Sequence, residues 1–356
     1  MTSLLIAFLV STLTTLLIIR YQHLHAHLSS DHQNGPQKFH SKQTPRVGGI
    51  GIFFALFVTA LYHFLTAVPE YPIKFWVLIC CLPVFSIGLT EDITKTIGVK
   101  IRLFFTALGA ALAIWLLNIS ITSIDVPGID YLLGITLISY CFTVLGITGL
   151  ANAYNIIDGF NGLASMVAIV TLLAIAYVGL KVADLTIVSM ALVLAGAIAG
   201  FFIWNYPRGL IFLGDGGAYL IGFYIAILSI LLVQRHHEVS PWFALLINAY
   251  PIFETLFTIW RRKVHQGKNP GLPDGAHFHS IIYRRVIRWA EVSNESFSRN
   301  ARTSPYLWLL STLAIFPAVL WWNYSWVLEG FALVFCITYV WLYRALVKFK
   351  TPSWLK

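Results

Sequence analysis

Residues 163–180 read LASMVAIVTLLAIAYVGL and residues 185–204 read LTIVSMALVLAGAIAGFFIW, with only Lys181 to Asp184 between them. Neither run holds a charge, and each approaches the roughly 20 apolar residues a helix needs to cross ~30 Å of hydrocarbon. Apolar residues follow one another without a two-residue alternation, a pattern of buried helices and not of a membrane β-barrel. The rest of the 356-residue chain is similar: 58% of it is apolar and only 11% charged, where a soluble domain averages about 25% charged. Its 24 Lys and Arg against 15 Asp and Glu give a net charge of +9. That charge is too sparse to coat a nucleic-acid-binding surface, and the apolar content excludes a disordered or collagen-like chain. An all-α, polytopic membrane protein is expected, embedded in a lipid bilayer and with no nucleic acid as partner.

Eleven segments have the length and composition of spans, at about 3–20, 47–67, 73–90, 101–118, 131–150, 163–180, 185–204, 217–233, 241–260, 305–322 and 325–343. With the N-terminus outside, all but three (Lys74, Lys181 and Arg235) of the Lys and Arg residues fall in inner loops or the tail. This strong positive-inside bias places the C-terminus in the cytoplasm and requires an odd number of spans. The cytoplasmic loops are then about 21–46, 91–100, 151–162, 205–216 and 261–304. None is large enough for its own core, so residues 1–356 read as one integral membrane domain. The first segment lacks a basic start and a cleavage site and reads as a retained helix. Cys80, Cys81, Cys141 and Cys336 lie in spans and read as buried thiols, indicating neither a disulfide framework nor a thiolate metal site. Gly196 and Gly200 in GAIAG form a small-xxx-small pattern suited to close packing of helices within the chain; a homodimer is also compatible with it.

Charged groups at membrane depth are costly, and their distribution here is uneven. Glu70, Asp125, Asp130, Asp184, Glu238 and Glu329 are scattered singly near outer loops and read as solvated loop acids. The inner acids instead sit at helix mouths beside Gly, Asn and Lys: Glu91 and Asp92 in GLTEDITKTIGVKIR, Asp158 in NAYNIIDGFNGLA, and Asp215 in WNYPRGLIFLGDGGAYL. Three such clusters on one face suit phosphate chemistry with Mg²⁺, which binds through one or two carboxylates and substrate phosphates. Gly214, Gly216 and Gly217 permit close backbone approach and present amides to an anion at a helix start. In KQTPRVGGIGI, Lys42 and Arg46 are placed to meet an anionic headgroup or diphosphate. His277 and His279 in PDGAHFHSIIYRR read as phosphate-contacting or proton-transferring groups, aided by Arg284 and Arg285; two histidines without a third ligand do not make a zinc site. Glu254, near the inner end of the ninth span, is expected to pair with a basic residue or support the site from behind.

In this order and on one face, the blocks resemble the polyprenyl-phosphate N-acetylhexosamine-1-phosphate transferases over about residues 36–290. The resemblance is closest to the undecaprenyl-phosphate N-acetylglucosaminyl-1-phosphate type. It implies Asp215 as the direct ligand of Mg²⁺ (or Mn²⁺), with Asp92 and Asp158 beside the metal and phosphates and Asp92 the second metal-binding residue. Glu91, Asp92, Asp158, His277 and His279 form the implied catalytic set, with Asp92 as a base or nucleophile-orienting group. One displacement, or two through a covalent aspartyl-phosphate, are both open. Asn205, Phe212, Asn155, Asn161 and Lys42 are implied to hold the nucleotide or sugar. Arg46, Lys100, Arg102 and Arg284 would face phosphates or the lipid carrier, and His277 and His279 the diphosphate or sugar. Two positions depart from the family pattern: Glu91 stands for the first Asp of an acid pair, and Asn161 for the second Asp of Asp-Gly-x-Asp-Gly. Glu91 keeps a charge but moves it by about one methylene, and Asn161 loses a carboxylate. The implied reaction transfers N-acetylhexosamine-1-phosphate from a UDP-N-acetylhexosamine (UDP-N-acetylglucosamine or a 6-deoxy derivative) to undecaprenyl phosphate. It releases UMP and starts a lipid-linked envelope glycan such as O-antigen at the bacterial inner membrane, with the site facing the cytoplasm. The rival readings are a secondary transporter for an anionic solute and a non-catalytic carrier binder. Transporter sites lie near the bilayer midplane in broken helices, whereas these acids gather at one face.

Overall fold

A computed structural model of the chain describes residues 1–29, 44–68, 71–267, 274–287 and 296–348. The helices run α1 (Thr2–Arg20), α2 (Gln22–Ser29), α3 (Gly49–Leu65), α4 (Tyr71–Thr94), α5 (Val99–Leu117), α6 (Pro127–Leu133), α7 (Thr136–Ile157) and α8 (Leu163–Lys181). They continue as α9 (Leu185–Asn205), α10 (Gly214–Arg235), α11 (Pro241–Leu246), α12 (Ala249–Trp260), α13 (Phe278–Ile282), α14 (Ser296–Leu320) and α15 (Ser325–Val347). Nine of them (α1, α4, α5, α7, α8, α9, α10, α14 and α15) are long and apolar enough to cross a membrane. Among the described residues the chain is all-helical.

Two of the eleven expected segments fall short of a full span. Residues 47–67 form a helix of only 17 residues, Gly49–Leu65, because the chain before it is tied up in the site described below. Residues 241–260 break into α11 and α12 at Ile247 and Asn248. The cause is local: Pro251 has no N–H to give the Ile247 carbonyl, and the helix cannot run through. The freed carbonyl accepts from Thr171 Oγ1 at 3.2 Å, while Asn248 accepts from Tyr154 Oη at 3.2 Å and donates to the Ala244 carbonyl at 2.9 Å. Backbone polar groups at this depth are thus satisfied inside the protein, as the bilayer requires.

Helix α10 is the axis of the bundle. It is buried along most of its length and packs on α3, α4, α7, α8 and α9. The outer helices show two contrasting faces. On α1, Leu5, Leu9, Leu13 and Leu17 form an exposed stripe, while Ala7, Ser11 and Thr15 are buried against the bundle. A stripe of that kind is a liability in water and the expected contact with lipid tails. The buried face of α1 packs on α9 and α3: a Cβ added at Gly196 of α9 would lie 2.7 Å from the Leu4 carbonyl oxygen and one at Gly200 would lie 2.5 Å from that of Phe8, while one at Gly51 of α3 would lie 2.5 Å from Thr15 Oγ1. GAIAG therefore packs within the chain. Cys80 and Cys81 are buried, but Cys141 faces outward from α7, so its burial is by lipid and not by protein. Asp184 is also no solvated loop acid. It is buried, accepts from the Ile187 N–H at the start of α9 (3.0 Å), and pairs with Arg235 (3.1 Å) and His236 (3.0 Å).

The opposite end of the bundle gathers the C-termini of α4 and α7 and the N-termini of α3, α5 and α10. Close approach of α3 to α10 depends on two glycines: a Cβ at Gly49 would stand 2.4 Å from the Gly217 nitrogen and 2.5 Å from its Cα. Such a clash is with backbone and has no side-chain relief. Gly49→Ala should therefore lower the melting temperature in detergent, with a cost of about 1–3 kcal/mol typical of overpacking. Gly330→Ala on α15, where an added Cβ meets nothing within 4 Å, should leave it unchanged or raise it slightly. Equal melting of the two variants would contradict this packing.

Candidate active site

The first amides of a helix have no partner inside the helix and are orphan donors. On α10 two of them are met from another helix. Asp92, near the C-terminal end of α4 and 1% exposed, accepts from the Asp215 N–H at 2.8 Å (Oδ1) and the Gly216 N–H at 2.9 Å (Oδ2). Its negative charge also faces the positive end of the helix dipole. Gly214 makes this possible: its φ is +76°, and a Cβ there would fall 2.1 Å from the Arg46 carbonyl oxygen and 2.5 Å from Asp92 Oδ2. The same turn is held from the other side by the segment before α3. The Phe212 N–H donates to the Pro45 carbonyl (2.8 Å), Gly48 N–H to Phe212 (2.9 Å) and Gly49 N–H to Leu213 (3.0 Å).

This frame sets Arg46 and Asp215 face to face. Asp215 Oδ1 accepts from Arg46 Nη2 and from Asn155 Nδ2, each at 3.1 Å, and Oδ2 accepts from Arg102 Nη1. Arg46 Nη2 is also 3.8 Å from Asp92 Oδ1. Arg102 lies over the Tyr219 ring, 5.9 Å from its centroid, and Tyr219 Oη donates to Asn152 Oδ1 at 3.0 Å. Asp158 caps α7 close enough to feel both charges: burial pushes its carboxyl up to about 7, with Arg46 opposing and Asp215 adding to that shift.

A second limb comes from the segment 274–279. Glu254 on α12 is fully buried. Its Oε1 accepts from His277 Nδ1 (3.0 Å) and the Phe278 N–H (3.2 Å), and its Oε2 accepts from Tyr339 Oη (2.6 Å). The carboxylate thereby fixes the imidazole orientation and makes Nδ1 the protonated nitrogen. Behind it, Asp274 pairs with Arg261 and accepts from the Ala276 N–H at 3.1 Å. Burial raises the Asp274 carboxyl, but Arg261 outweighs it and holds the group below the usual range. His279 stacks on His277 with ring centroids 5.2 Å apart, and a Cβ on Gly159 would meet its Nε2 at 2.8 Å. The histidine limb therefore abuts the residue following Asp158. Burial, with His277 adding, pushes His279 down to about 3, so it is a neutral imidazole near pH 7.

The structure thus brings Asp92, Asp158, Asp215, Asn155, Arg46 and Arg102 together, with His277 and His279 adjoining. Other expected residues lie elsewhere or are otherwise engaged. Glu91 Oε2 accepts from the Ile97 N–H at 2.6 Å and closes the α4–α5 turn. Asn205 accepts from the Gly162 N–H (2.6 Å) and donates to the Ile211 carbonyl (2.7 Å); Asn161 donates to the Pro207 carbonyl (3.1 Å), and its backbone is held by Asn300 and Ser304. Both are buried braces between loops. Phe212 is half-buried, while Lys100 and Arg284 are exposed; Lys42 lies outside the described residues. Tyr219, Asn152 and Tyr339 were not singled out by sequence. Two of them had a signal: Asn152 is one turn before Asn155, and Tyr219 one turn after Asp215, which puts each on the same face as its partner.

No group of three or more His, Cys, Asp or Glu forms a ready metal cage among the described residues. Asp215 and Asp158 nevertheless fit a hard dication that takes one or two carboxylates and completes its shell with water and phosphate. Both Asp215 oxygens already hold guanidinium cations, which shows that the position favours positive charge.

Residues 74–233 match the pattern of glycosyl transferase family 4. Curated relatives include a Bacillus subtilis protein named "Probable undecaprenyl-phosphate N-acetylglucosaminyl 1-phosphate transferase", 30% identical over 77% of this chain and 75% of its own. A Thermotoga maritima undecaprenyl-phosphate alpha-N-acetylglucosaminyl 1-phosphate transferase is 28% identical over 71% of this chain and 72% of its own. A phospho-N-acetylmuramoyl-pentapeptide-transferase of Streptococcus thermophilus is 24% identical over 80% and 85%.

Asp92→Ala removes two charge-assisted hydrogen bonds from buried amides. It should cost at least about 2 kcal/mol and lower the melting temperature in detergent, with Asp92→Asn intermediate because its single carbonyl oxygen keeps one acceptor. A wild-type melting curve for Asp92→Ala would show that the contact does not hold α10.

Proposed function

The chain belongs to glycosyl transferase family 4, and from that premise we propose that it transfers an N-acetylhexosamine-1-phosphate from a UDP-sugar to undecaprenyl phosphate, releasing UMP. It is a multi-pass membrane enzyme of the sugar-1-phosphate transferase type. The observation that carries the finer reading is the Asp215 carboxylate shared by Arg46, Arg102 and Asn155 at the start of α10. Such a set offers guanidinium donors for phosphate oxygens and a hard anion for a metal, at one end of a helical bundle. The relatives' names support both the lipid acceptor and an N-acetylglucosamine-type donor. The excess of Lys and Arg on this side supports placing the site at the cytoplasmic face of the inner membrane.

In this reaction a phosphate oxygen of the carrier attacks the β-phosphorus of the UDP-sugar. The bond from that phosphorus to the bridging oxygen breaks, and UMP leaves. The carrier phosphate is already ionised at neutral pH, so no strong base is needed to generate the nucleophile. Mg²⁺, held by Asp215 with Asp158 beside it, would supply charge neutralisation for the diphosphate. Arg46 and Arg102 bind the phosphate oxygens in a bidentate manner that Lys could not reproduce. Asp92 acts from behind by fixing the α10 terminus on which Asp215 rides. His277, aimed by Glu254, contacts the diphosphate or sugar, and positioning of this kind supplies much of the rate.

Purified protein with undecaprenyl phosphate, Mg²⁺ and a panel of UDP-N-acetylhexosamines should release UMP from one donor, dependent on both lipid and metal. Folded protein that releases none from any donor would overturn the reading. Asp215→Asn should abolish turnover without unfolding the chain. Glu254→Gln should lower kcat by about tenfold or more through a misdirected His277, with little change in carrier KM; unaltered kcat would remove the histidine limb from the mechanism.

A further inference from the structure

The last helix reaches the histidine limb through Tyr339 and Tyr343, one turn apart on one face of α15. Tyr339 Oη donates to Glu254 Oε2 at 2.6 Å, and Tyr343 Oη donates to the Ala276 carbonyl at 3.1 Å. One contact lies behind the His277 side chain, the other at the residue before it in the chain. The Tyr339 ring is fully buried, with Phe253 and Phe257 of α12 edge-on to it at 4.9 and 5.5 Å and the Phe278 ring 4.9 Å away. Packing therefore aims its hydroxyl before any substrate arrives. Glu254 is equally buried, and both its oxygens are in use: Oε1 takes His277 Nδ1 and the Phe278 N–H, and Oε2 takes Tyr339. A buried carboxylate oxygen stripped of its donor is costly. The Tyr339 hydroxyl thus fixes the rotation of the carboxylate and, with it, the oxygen that faces His277.

We propose that Tyr339 is a positioning residue for the transfer reaction, acting through Glu254 on the ring of His277. The role rests on the transferase reading above. His277 Nδ1 faces two groups, Glu254 Oε1 at 3.0 Å and Thr258 Oγ1 at 3.3 Å. A threonine hydroxyl both donates and accepts, so Thr258 does not choose between the two neutral forms of the ring; an ionised carboxylate accepts only, and does. With the carboxylate locked, the proton stays on Nδ1 and Nε2 is the nitrogen with which His277 meets substrate. Without the Tyr339 hydroxyl, Glu254 is free to turn Oε1 away. Thr258 can then donate to Nδ1, and the ring proton moves to Nε2. Tyr343 holds the main chain beside the same histidine, so α15 fixes both where the ring sits and which nitrogen it offers.

Tyr339→Phe keeps the ring and its aromatic neighbours and removes only the hydroxyl. Nitrogen NMR of the full chain in detergent, with isotope-labelled histidine and His277 identified by the signals lost in His277→Gln, reads the ring without substrate. The wild type should show the neutral His277 ring protonated at Nδ1, and Tyr339→Phe should bring the Nε2-protonated form to a comparable population. In UMP release, Tyr339→Phe should lower kcat by about fivefold or more, the worth of a hydrogen bond to a charged group. The KM for the carrier should stay within about twofold, because the contact orients a group and does not bind the lipid. Adding Tyr339→Phe to Glu254→Gln should lower kcat no further, as expected of two residues acting through one contact; a tyrosine that merely fills the core would give losses that multiply. An unaltered ring in Tyr339→Phe, or multiplying losses in the double variant, would overturn the proposal. The ring is read whether or not UMP is released, so a folded wild type inactive with every donor strikes the transferase reading, whereas an unaltered ring beside full wild-type turnover strikes the role of Tyr339.

Discussion

A buried carboxylate seated on the open end of a buried helix is the constraint around which this molecule is arranged. Asp92 meets the first amides of α10, and α10 is the axis on which most of the spanning helices pack. The contact requires α3, α4 and α10 to approach at backbone distance, which is why glycines occupy positions 49, 88, 214, 216 and 217. A Cβ on Gly88, for example, would lie 2.6 Å from Gly216 Cα. Charge, helix dipole and missing side chains act together here, and moving any one of them shifts Asp215 with the rest.

The charges above that contact are unequal in a useful way. Three carboxylates (Asp92, Asp158 and Asp215) share two guanidiniums, Arg46 and Arg102, in a region from which water is partly excluded. In such surroundings each uncompensated charge is costly and each added opposite charge is strongly favoured. A diphosphate accompanied by a dication adds both signs at once and lets every group keep a partner. The surrounding asparagines and tyrosines, Asn155, Asn152 and Tyr219, hold the charged groups without adding charge of their own. Fixed dipoles of that kind need no reorganisation when charge moves during reaction.

Much of this was legible in the sequence because spans and acids obey simple rules. Uninterrupted apolar runs gave the helices, and the acids beside glycine at helix ends gave the cluster of Asp92, Asp158 and Asp215. The break at Ile247 and Asn248 was less visible, since Pro251 lies within an apolar run and its effect depends on Thr171 accepting the role of donor. Division of labour among the polar residues was not legible at all. Glu91 and Asp92 are neighbours of the same charge, yet one closes a turn and the other caps a helix from a different part of the chain. Asn161 and Asn205 sit beside the cluster in sequence and serve as buried loop braces. Which partner a polar side chain meets is decided by long-range packing, and spacing along the chain does not encode it.

A structure of the protein with UDP-N-acetylglucosamine and Mg²⁺ bound tests the central claim most directly. The account predicts the metal on Asp215 and the diphosphate against Arg46 and Arg102, with Asp92 still on the α10 amides. A nucleotide seated elsewhere, with Asp215 still shared between both guanidiniums, would contradict it.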